Sequence, residues 1–348
     1  MGPALITQLV ALTLWAVGFL LLRRVRPCRT SGASGLPPQI SVIIPARNEE
    51  QNLPPLLRSL AAQAVKPHEI IVVDDASTDR TAEVARMLGA KVIQSQTLPD
   101  GWRGKPWACH QGAQAATGEL LLFLDADTWF QPEGLGRTLS AYEGGAFSVS
   151  PHHEVRRPYE QLSLFFNFNM TFGTVPGGLF GQMLLVDRSS YRRVGGHETV
   201  RDRILENVWL ARQFRQAGIP VRSRSGRGVF AFRMYPNGLR ELIAGWTKGF
   251  AAGAGQTPRG TLLALIAWMS GLMLAPLGWL VIGGWSWGLV YLLCAAQVAG
   301  FSRQVGSFRW YTAAFYPVPL VFFFLVFAWS ALRSGKRVSW KGRTVHAD

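Results

Sequence analysis

Two aspartates one residue apart, Asp125 and Asp127, close an apolar run, Leu122-Phe123-Leu124. Carboxylates at that spacing supply the hard oxygen donors that Mg2+ or Mn2+ takes together with waters and phosphate oxygens. A second acidic pair, Asp74-Asp75, ends the run Val72-Val73 and leads into Ala76-Ser77-Thr78-Asp79. Asp75 is placed to accept hydrogen bonds from a base or ribose, as acidic residues at strand ends do in nucleotide folds. Ser77 and Asp79 suit helix capping. A third segment, Pro45-Ala46-Arg47-Asn48-Glu49-Glu50, follows the apolar Val42-Ile43-Ile44. Lys105 comes after Gly101-Trp102-Arg103-Gly104, a glycine-bearing loop, and suits a cation near phosphate. Each motif has a plainer reading: a capped helix, a turn with solvated aspartates, a surface lysine. Their order in one chain favours a site for a nucleoside, a diphosphate and a divalent cation.

Such a site needs strands to carry it. Ile40–Pro45, Glu69–Asp74, Lys91–Gln94, Glu119–Asp125 and Phe147–Ser150 are continuous apolar runs of strand length. Continuous rather than alternating runs suit a sheet buried on both faces. Arg80–Leu88 and Arg203–Ala217 read as helices between them. Strand–helix alternation predicts an α/β fold with a mostly parallel sheet, whose carboxyl edge is where ligands bind. All three motifs fall at that edge.

The rest of the 348-residue chain has a different character. Hydrophobic residues make up 48% and charged residues only 16%, below the roughly 25% of a soluble domain. Leu5–Leu22 is apolar and uncharged, then Arg23, Arg24, Arg26 and Arg29 follow. A signal peptide has the reverse polarity, so this segment predicts a retained anchor with its arginines in the cytoplasm. Leu262–Ile282, Ser286–Phe301 and Trp310–Leu332 are further apolar stretches near the ~20 residues that cross a bilayer. Three crossings would put the basic tail, with Lys336, Arg337, Lys341 and Arg343, outside. Positive charge prefers the inside, which makes the last stretch, holding Pro317 and Pro319, the candidate for re-entrance. The expected division is an anchor with its basic flank over 1–29, a linker over 30–38, the α/β domain over 39–255, a membrane region over 256–332 and a tail over 333–348. The net charge of +15 is gathered at membrane borders and points to membrane lipids, not nucleic acid, which would need a basic groove interleaved with aromatics. Cys28, Cys109 and Cys294 show no pair or metal spacing and read as structural thiols.

The succession P-A-R-N-E, D-D-A-S-T-D, D-A-D over Ile40–Trp246 resembles the family 2 glycosyltransferases with a GT-A fold. Gly104-Lys105-Pro106-Trp107-Ala108-Cys109, Ser150-Pro151-His152-His153, Gly195-Gly196-His197, Gly245-Trp246-Thr247-Lys248-Gly249 and Trp340-Lys341-Gly342-Arg343 extend it. With them the resemblance reaches the carotenoid branch, the diaponeurosporenoate glucosyltransferases. It implies that Pro45, Arg47 and Glu49 line the nucleotide, and that Asp75 contacts uracil or ribose. It implies that Asp125 and Asp127 face ribose, diphosphate and metal. The family's Glu-Asp base motif falls where this chain has Glu206-Asn207, and asparagine takes no proton at neutral pH. Only Glu206 keeps a carboxylate there, with Asp202 one turn earlier. The family's later Q/R-x-x-R-W element is not intact; Arg233, Trp246 and Lys248 occupy the comparable region, where they meet the diphosphate or an acceptor lid, or simply belong to an interfacial helix.

The resemblance implies inverting transfer of a hexose, with UDP-glucose the donor and Mg2+ or Mn2+ the cofactor, to a lipid-like acceptor such as a carotenoid carboxylic acid. A polyprenyl phosphate, a hopanoid or a glycerolipid stays open as acceptor. A non-catalytic nucleotide-binding membrane protein is the reading from another class; Asn207 favours it and the intact Asp125 and Asp127 oppose it.

Overall fold

The computed structural model of the chain describes residues 2–28, 38–203, 205–254, 257–332, 337–340 and 343–346. The expected linker, apart from Pro38, and Arg29 lie outside the described residues, as do the side chains of the basic tail. The helices are α1 (Pro3–Arg24), α2 (Leu53–Ala61), α3 (Thr81–Met87), α4 (Gly104–Ala115), α5 (Gly134–Ser140), α6 (Leu164–Thr174), α7 (Arg188–Arg193), α8 (Glu206–Gln216), α9 (Leu239–Ala254), α10 (Arg259–Val281), α11 (Trp285–Val305), α12 (Trp310–Ala314) and α13 (Pro317–Leu332). The strands are β1 (Ile40–Ala46), β2 (Glu69–Asp74), β3 (Lys91–Gln94), β4 (Leu120–Leu124), β5 (Thr128–Phe130), β6 (Ala146–Ser150), β7 (His152–His153), β8 (Met183–Asp187), β9 (Val221–Ser225) and β10 (Phe230–Phe232), with a hairpin of β11 (Arg337–Trp340) and β12 (Arg343–His346).

The central sheet has seven strands in the order β3-β2-β1-β4-β8-β6-β9. The pairs β3-β2, β2-β1, β1-β4 and β6-β9 are parallel, while β8 runs antiparallel to both β4 and β6. All five strands read from the sequence are present to within a residue or so at each end. The antiparallel β8 lacks a motif of its own and enters between strands that the sequence places in succession. Ile43 and Val73 on one face and Ile44 and Val72 on the other are fully buried, which is the double burial that continuous apolar runs imply. A small sheet, β5-β10-β7, closes over the carboxyl edge.

Helix α4 packs on β1 and β2 through Gly112, where a Cβ would stand 2.4 Å from Ile43 Cγ2. Lys105 therefore lies in the first turn of this helix, not in a loop as its flanking glycines predicted. Glycine breaks no helix at its first position, where backbone N–H groups have no intrahelical partner anyway.

Helices α1, α10 and α11 form a bundle at one side of the sheet domain. Among the described residues, two helical segments are long and apolar enough to cross a membrane, Ala4–Arg24 and Arg259–Val281. Small residues let the helices approach closely: a Cβ on Gly271 would stand 2.6 Å from the Trp15 nitrogen, and one on Gly18 would stand 2.5 Å from Trp268 Nε1. A polar relay links the three helices: Trp268 Nε1 donates to Gln297 Oε1 at 2.7 Å, and Gln297 Nε2 donates to Trp15 O at 3.1 Å. Gly283 and Gly284, both at positive φ, make the tight turn between α10 and α11 at the end away from the sheet.

The third apolar stretch is broken at Phe315-Tyr316 into α12 and α13. Helix α12 starts where Arg309 N donates to Gln161 Oε1 (3.1 Å). At its other end Tyr316 Oη donates to Leu272 O (2.8 Å), near the middle of α10. Helix α13 then returns, and Ser330 Oγ donates to Thr247 O on α9 at 2.6 Å. The two form a hairpin that begins and ends beside the sheet domain.

Candidate active site

At the carboxyl edges of β1 and β2 the two following loops are stitched together. Arg47 Nη1 donates to Asp75 O at 3.0 Å and lies 3.8 Å from the Asp75 carboxylate. Asn48 takes a positive φ of 53°, so that its N–H meets Ser77 Oγ (3.0 Å) while its Oδ1 accepts from Thr78 N (2.8 Å). Short polar side chains are the ones that tolerate this conformation. Glu49 N donates to Thr81 Oγ1 (2.7 Å), and the Glu49 carboxylate accepts from Asn52 Nδ2 (2.6 Å). Arg47, Glu49 and Asp75 thus share one rigid corner, with Pro45 lining the adjoining pocket.

That pocket is organised by Lys105. Its ammonium lies 2.7 Å from Asp125 Oδ1 and 2.7 Å from Glu206 Oε1, and donates to Gly181 O at 2.9 Å. Burial works against its charge, but the Asp125 and Glu206 carboxylates outweigh burial and hold the lysine protonated well above its usual range. Three elements converge here: the end of β4 supplies Asp125, the first turn of α4 supplies Lys105, and the first turn of α8 supplies Glu206 and Asn207. An acidic residue in the first turn of α8 also suits the helix dipole. Glu206 does not pair with Arg203 or Arg212; those two guanidiniums lie over the Trp209 ring, at 4.3 and 4.6 Å. Asp202 lies outside α8 and pairs with Arg203 at 3.2 Å.

Asn207 is buried, and its Nδ2 donates to Phe180 O at 2.6 Å. An aspartate at 207 would set a carboxylate oxygen against that carbonyl. His197 closes the pocket floor beneath Phe123, with ring centroids 4.8 Å apart. Tyr191 Oη accepts from His197 N (3.1 Å) and shares a second hydrogen bond with His197 Nδ1 (2.8 Å), whose direction follows the imidazole tautomer. Burial, with help from the charges of Lys105 and His110, pushes the His197 pKa down to about 3, so this ring is neutral. Cys109 also lines the pocket, and burial pushes its thiol well up, away from reactivity. The backbone carbonyls of Phe180 and Gly181 carry no sequence motif, and only the spatial path of the 175–182 loop reveals them; His197 belongs to the Gly195-Gly196-His197 motif, but its partner Tyr191 does not.

Asp127 is half-buried two residues beyond Asp125. Antiparallel pairing of Phe232 with Thr128 runs the chain after β10 back past Asp127. Tyr235 arrives there in a left-handed conformation, φ 58°. Burial, then the charges of Asp127 and Glu241, push its phenol well up. Gly245 makes room for that ring: a Cβ there would stand 2.0 Å from Tyr235 Cε1. Arg233 does not reach toward Lys105. Its Nη2 pairs at 2.8 Å with the fully buried Glu160. Trp246 stacks on Phe166 (4.7 Å, 16°) and donates Nε1 to Ser163 Oγ (3.1 Å), so most of its surface is packed inside the domain. The side chain of Lys248 lies outside the described residues.

Among the described residues, no group of three or more His, Cys, Asp or Glu side chains is arranged to hold a metal ion. Asp125 and Asp127 nevertheless fit a cation of the Mg2+ type. Such an ion is commonly held by one or two carboxylates and completes its shell from phosphates and water.

The family model described as glycosyl transferase family 2 matches residues 41–185. The 4,4'-diaponeurosporenoate glycosyltransferase of Staphylococcus haemolyticus (strain JCSC1435) is 36% identical over 330 residues, covering 87% of this chain and 88% of that protein. The protein of the same name from Staphylococcus aureus (strain N315) is 32% identical over 363 residues, covering 97% and 96%. Among solved structures, a mannosyltransferase from Pyrobaculum calidifontis in complex with GDP-Man and Mn2+ is similar in fold. It has a TM-score of 0.51 at 18% identity and covers 94% of this chain and 95% of that one.

Proposed function

The chain belongs to glycosyl transferase family 2 and is a glycosyltransferase; on that premise we propose that it moves a hexose from a nucleotide sugar to the carboxylate of a carotenoid acid, at a membrane. UDP-glucose is the leading donor. The printed names of the relatives support the acceptor class. The observation that carries the mechanism is the meeting of Lys105, Asp125 and Glu206, with Asn207 where a base would stand.

In this reading Pro45, Arg47, Glu49 and Asp75 hold the nucleoside, and Asp125 turns toward the ribose and diphosphate. Asp127, with Asp125, would hold Mg2+ or Mn2+, which when bound neutralises charge on the diphosphate leaving group. An oxygen of the acceptor carboxylate attacks the anomeric carbon from the side opposite the diphosphate. One C–O bond forms as the other breaks, and the configuration inverts. A carboxylic acid with a pKa near ~4 is already ionised at neutral pH, so the attack needs orientation more than a base. Lys105 offsets the negative charge of Asp125 and Glu206 and so lets an anionic acceptor approach. Arg233 and Trp246 act further out, by fixing the segment that carries Tyr235.

A second reading keeps Glu206 as general base for a hydroxyl acceptor such as a hopanoid or glycerolipid; its carboxylate in the pocket favours this. A polyprenyl phosphate would, like a carboxylate, need no base.

The apolar faces of α1 and α10 support membrane insertion, with the sheet domain in the cytoplasm where nucleotide sugars are available. The α12–α13 hairpin, returning to α9, supports a re-entrant last segment and a basic tail on the same side. Mass analysis of lipid extracts from cells gaining the protein tests the proposal. A new hexosyl ester of a carotenoid acid supports it; a new hexosyl phospholipid or glycerolipid in its place sinks it.

A further inference from the structure

The ends of the bundle helices differ sharply. From Gly260 to Ser302, and again from Trp310 to Leu332, the chain has no Asp, Glu, Lys or Arg. At the end next to the sheet domain, arginines from distant parts of the sequence come together. Arg23 lies in the last turn of α1 and Arg26 just after it; Arg259 opens α10; Arg303 lies in the last turn of α11; Arg309 precedes α12; Arg227 comes from the loop after β9. Contacts fix them as one belt. Arg26 O accepts from Ser225 N (2.7 Å), and Ser225 Oγ accepts from Arg227 N (3.5 Å). Arg24 Nη1 donates to Thr261 Oγ1 at 2.7 Å, tying the end of α1 to the start of α10. Gly306 bridges to His153, and Arg309 N reaches Gln161, tying α11 and α12 to the same face of the domain.

All six of these arginines are exposed, and among the described residues none has an ion-pair partner. The acids nearby are already used: Glu154 holds Arg156 at 2.6 Å, and buried Glu160 holds Arg233. Arg309 is followed by Trp310, which is 79% exposed, an aromatic suited to the membrane–water boundary. A belt of unneutralised guanidiniums at the rim of an uncharged helical bundle matches a plane of phosphates, which arginine contacts with paired N–H donors.

We propose that this arginine belt is a binding surface for the headgroups of anionic phospholipids in the leaflet facing the sheet domain. It sets the depth of the bundle and holds the active-site edge at a fixed height above the acceptor's layer. The inference rests on the membrane reading above. It deepens that reading by naming the lipid class and the residues.

The test uses the full chain in detergent micelles with neither donor nor acceptor. Its tryptophan fluorescence is titrated with brominated phosphatidylglycerol and with brominated phosphatidylcholine. The phosphatidylglycerol should quench at concentrations at least about tenfold lower than the phosphatidylcholine. High salt should remove that preference. A variant with Arg26→Gln, Arg227→Gln and Arg303→Gln should lose most of it. A variant with Arg58→Gln, Arg86→Gln and Arg192→Gln, equal in charge but off the belt, should keep it. Equal quenching of the unmodified chain by both lipids overturns the proposal, even if the belt variant fails to fold. Equal loss in the two variants overturns it as well, because net charge and not the belt would then be responsible. Quenching by neither lipid defeats the membrane reading itself, a separate result from the lack of preference.

Discussion

Lys105 is the residue on which the site's electrostatics turn. It compensates Asp125 and Glu206, and Glu206 is almost fully buried. Lys105→Met should leave two carboxylates facing each other across the pocket. Turnover is expected to fall by about 10²–10³-fold, the loss typical of removing one preorganised charge-stabilising donor. Stability should fall by about 1–3 kcal/mol. Steady-state transfer together with a denaturant melt checks both. The neighbouring pair divides the two acceptor readings. Glu206→Gln should leave part of the transfer to an acid acceptor intact. Asn207→Asp should lower it, by repelling the acceptor and by opposing the Phe180 carbonyl 2.6 Å away. Kinetics of both variants decide: if Glu206→Gln falls to background while Asn207→Asp accelerates, Glu206 is a base and the carboxylate argument fails.

Helix α4 is the element that delivers Lys105, and its seat on the sheet depends on one hydrogen atom at Gly112. Gly112→Ala should force α4 away from Ile43 and Val73, costing about 1–3 kcal/mol of overpacking and moving Lys105 off its two carboxylates. The expected outcome is a lowered melting temperature with a fall in turnover larger than the fall in donor affinity; unchanged kinetics would mean that α4 relaxes without moving its first turn. At this scale the sequence was informative about some things and silent on others. Buried strands announce themselves by uninterrupted apolar runs, and the acidic pairs at their ends mark the ligand edge. Strand β8 could not be placed, because antiparallel insertion is decided by long-range pairing and not by local pattern. Helix α4 was hidden by Gly104 and Pro106, which look like loop residues yet are tolerated in a first turn. The Lys105–Glu206 contact joins residues about a hundred positions apart, and no spacing rule reaches that far. Arg233 and Trp246 stood out as candidates by family position, but their roles depend on Glu160 and Phe166, neither of which has a recognisable pattern.

At the scale of the whole molecule, two histidines fold neutral in fully buried positions. His197 and His153 both have pKa values pushed down to about 3 from 6.5, mainly by burial; around His153 the charges of His152 and Arg233 add to this and Glu160 opposes it. Below pH 6.5 the unfolded chain therefore binds more protons than the folded one, and stability rises with pH. Full stability should be present above pH 6.5. It should decline as pH falls toward 3, by up to about 1.4 kcal/mol per pH unit for each histidine. Melting temperatures at pH 7.5 and 5.0 check this, and His197→Gln should flatten the dependence. A flat profile in the unmodified chain would show that these rings are not the groups that respond to acid.

The coupling of a soluble donor to an apolar acid is the central claim, and product chemistry tests it most directly. Purified chain in lipid micelles is given UDP-[14C]glucose, Mn2+ and a long-chain carotenoid acid, with Asp127→Ala as the control. The account predicts a radiolabelled apolar product that forms only with metal, is absent with Asp127→Ala, and releases glucose under mild alkali, as an ester does and a glycoside does not. A metal-dependent product that resists alkali, or transfer to a hydroxyl lipid with none to the acid, would contradict it.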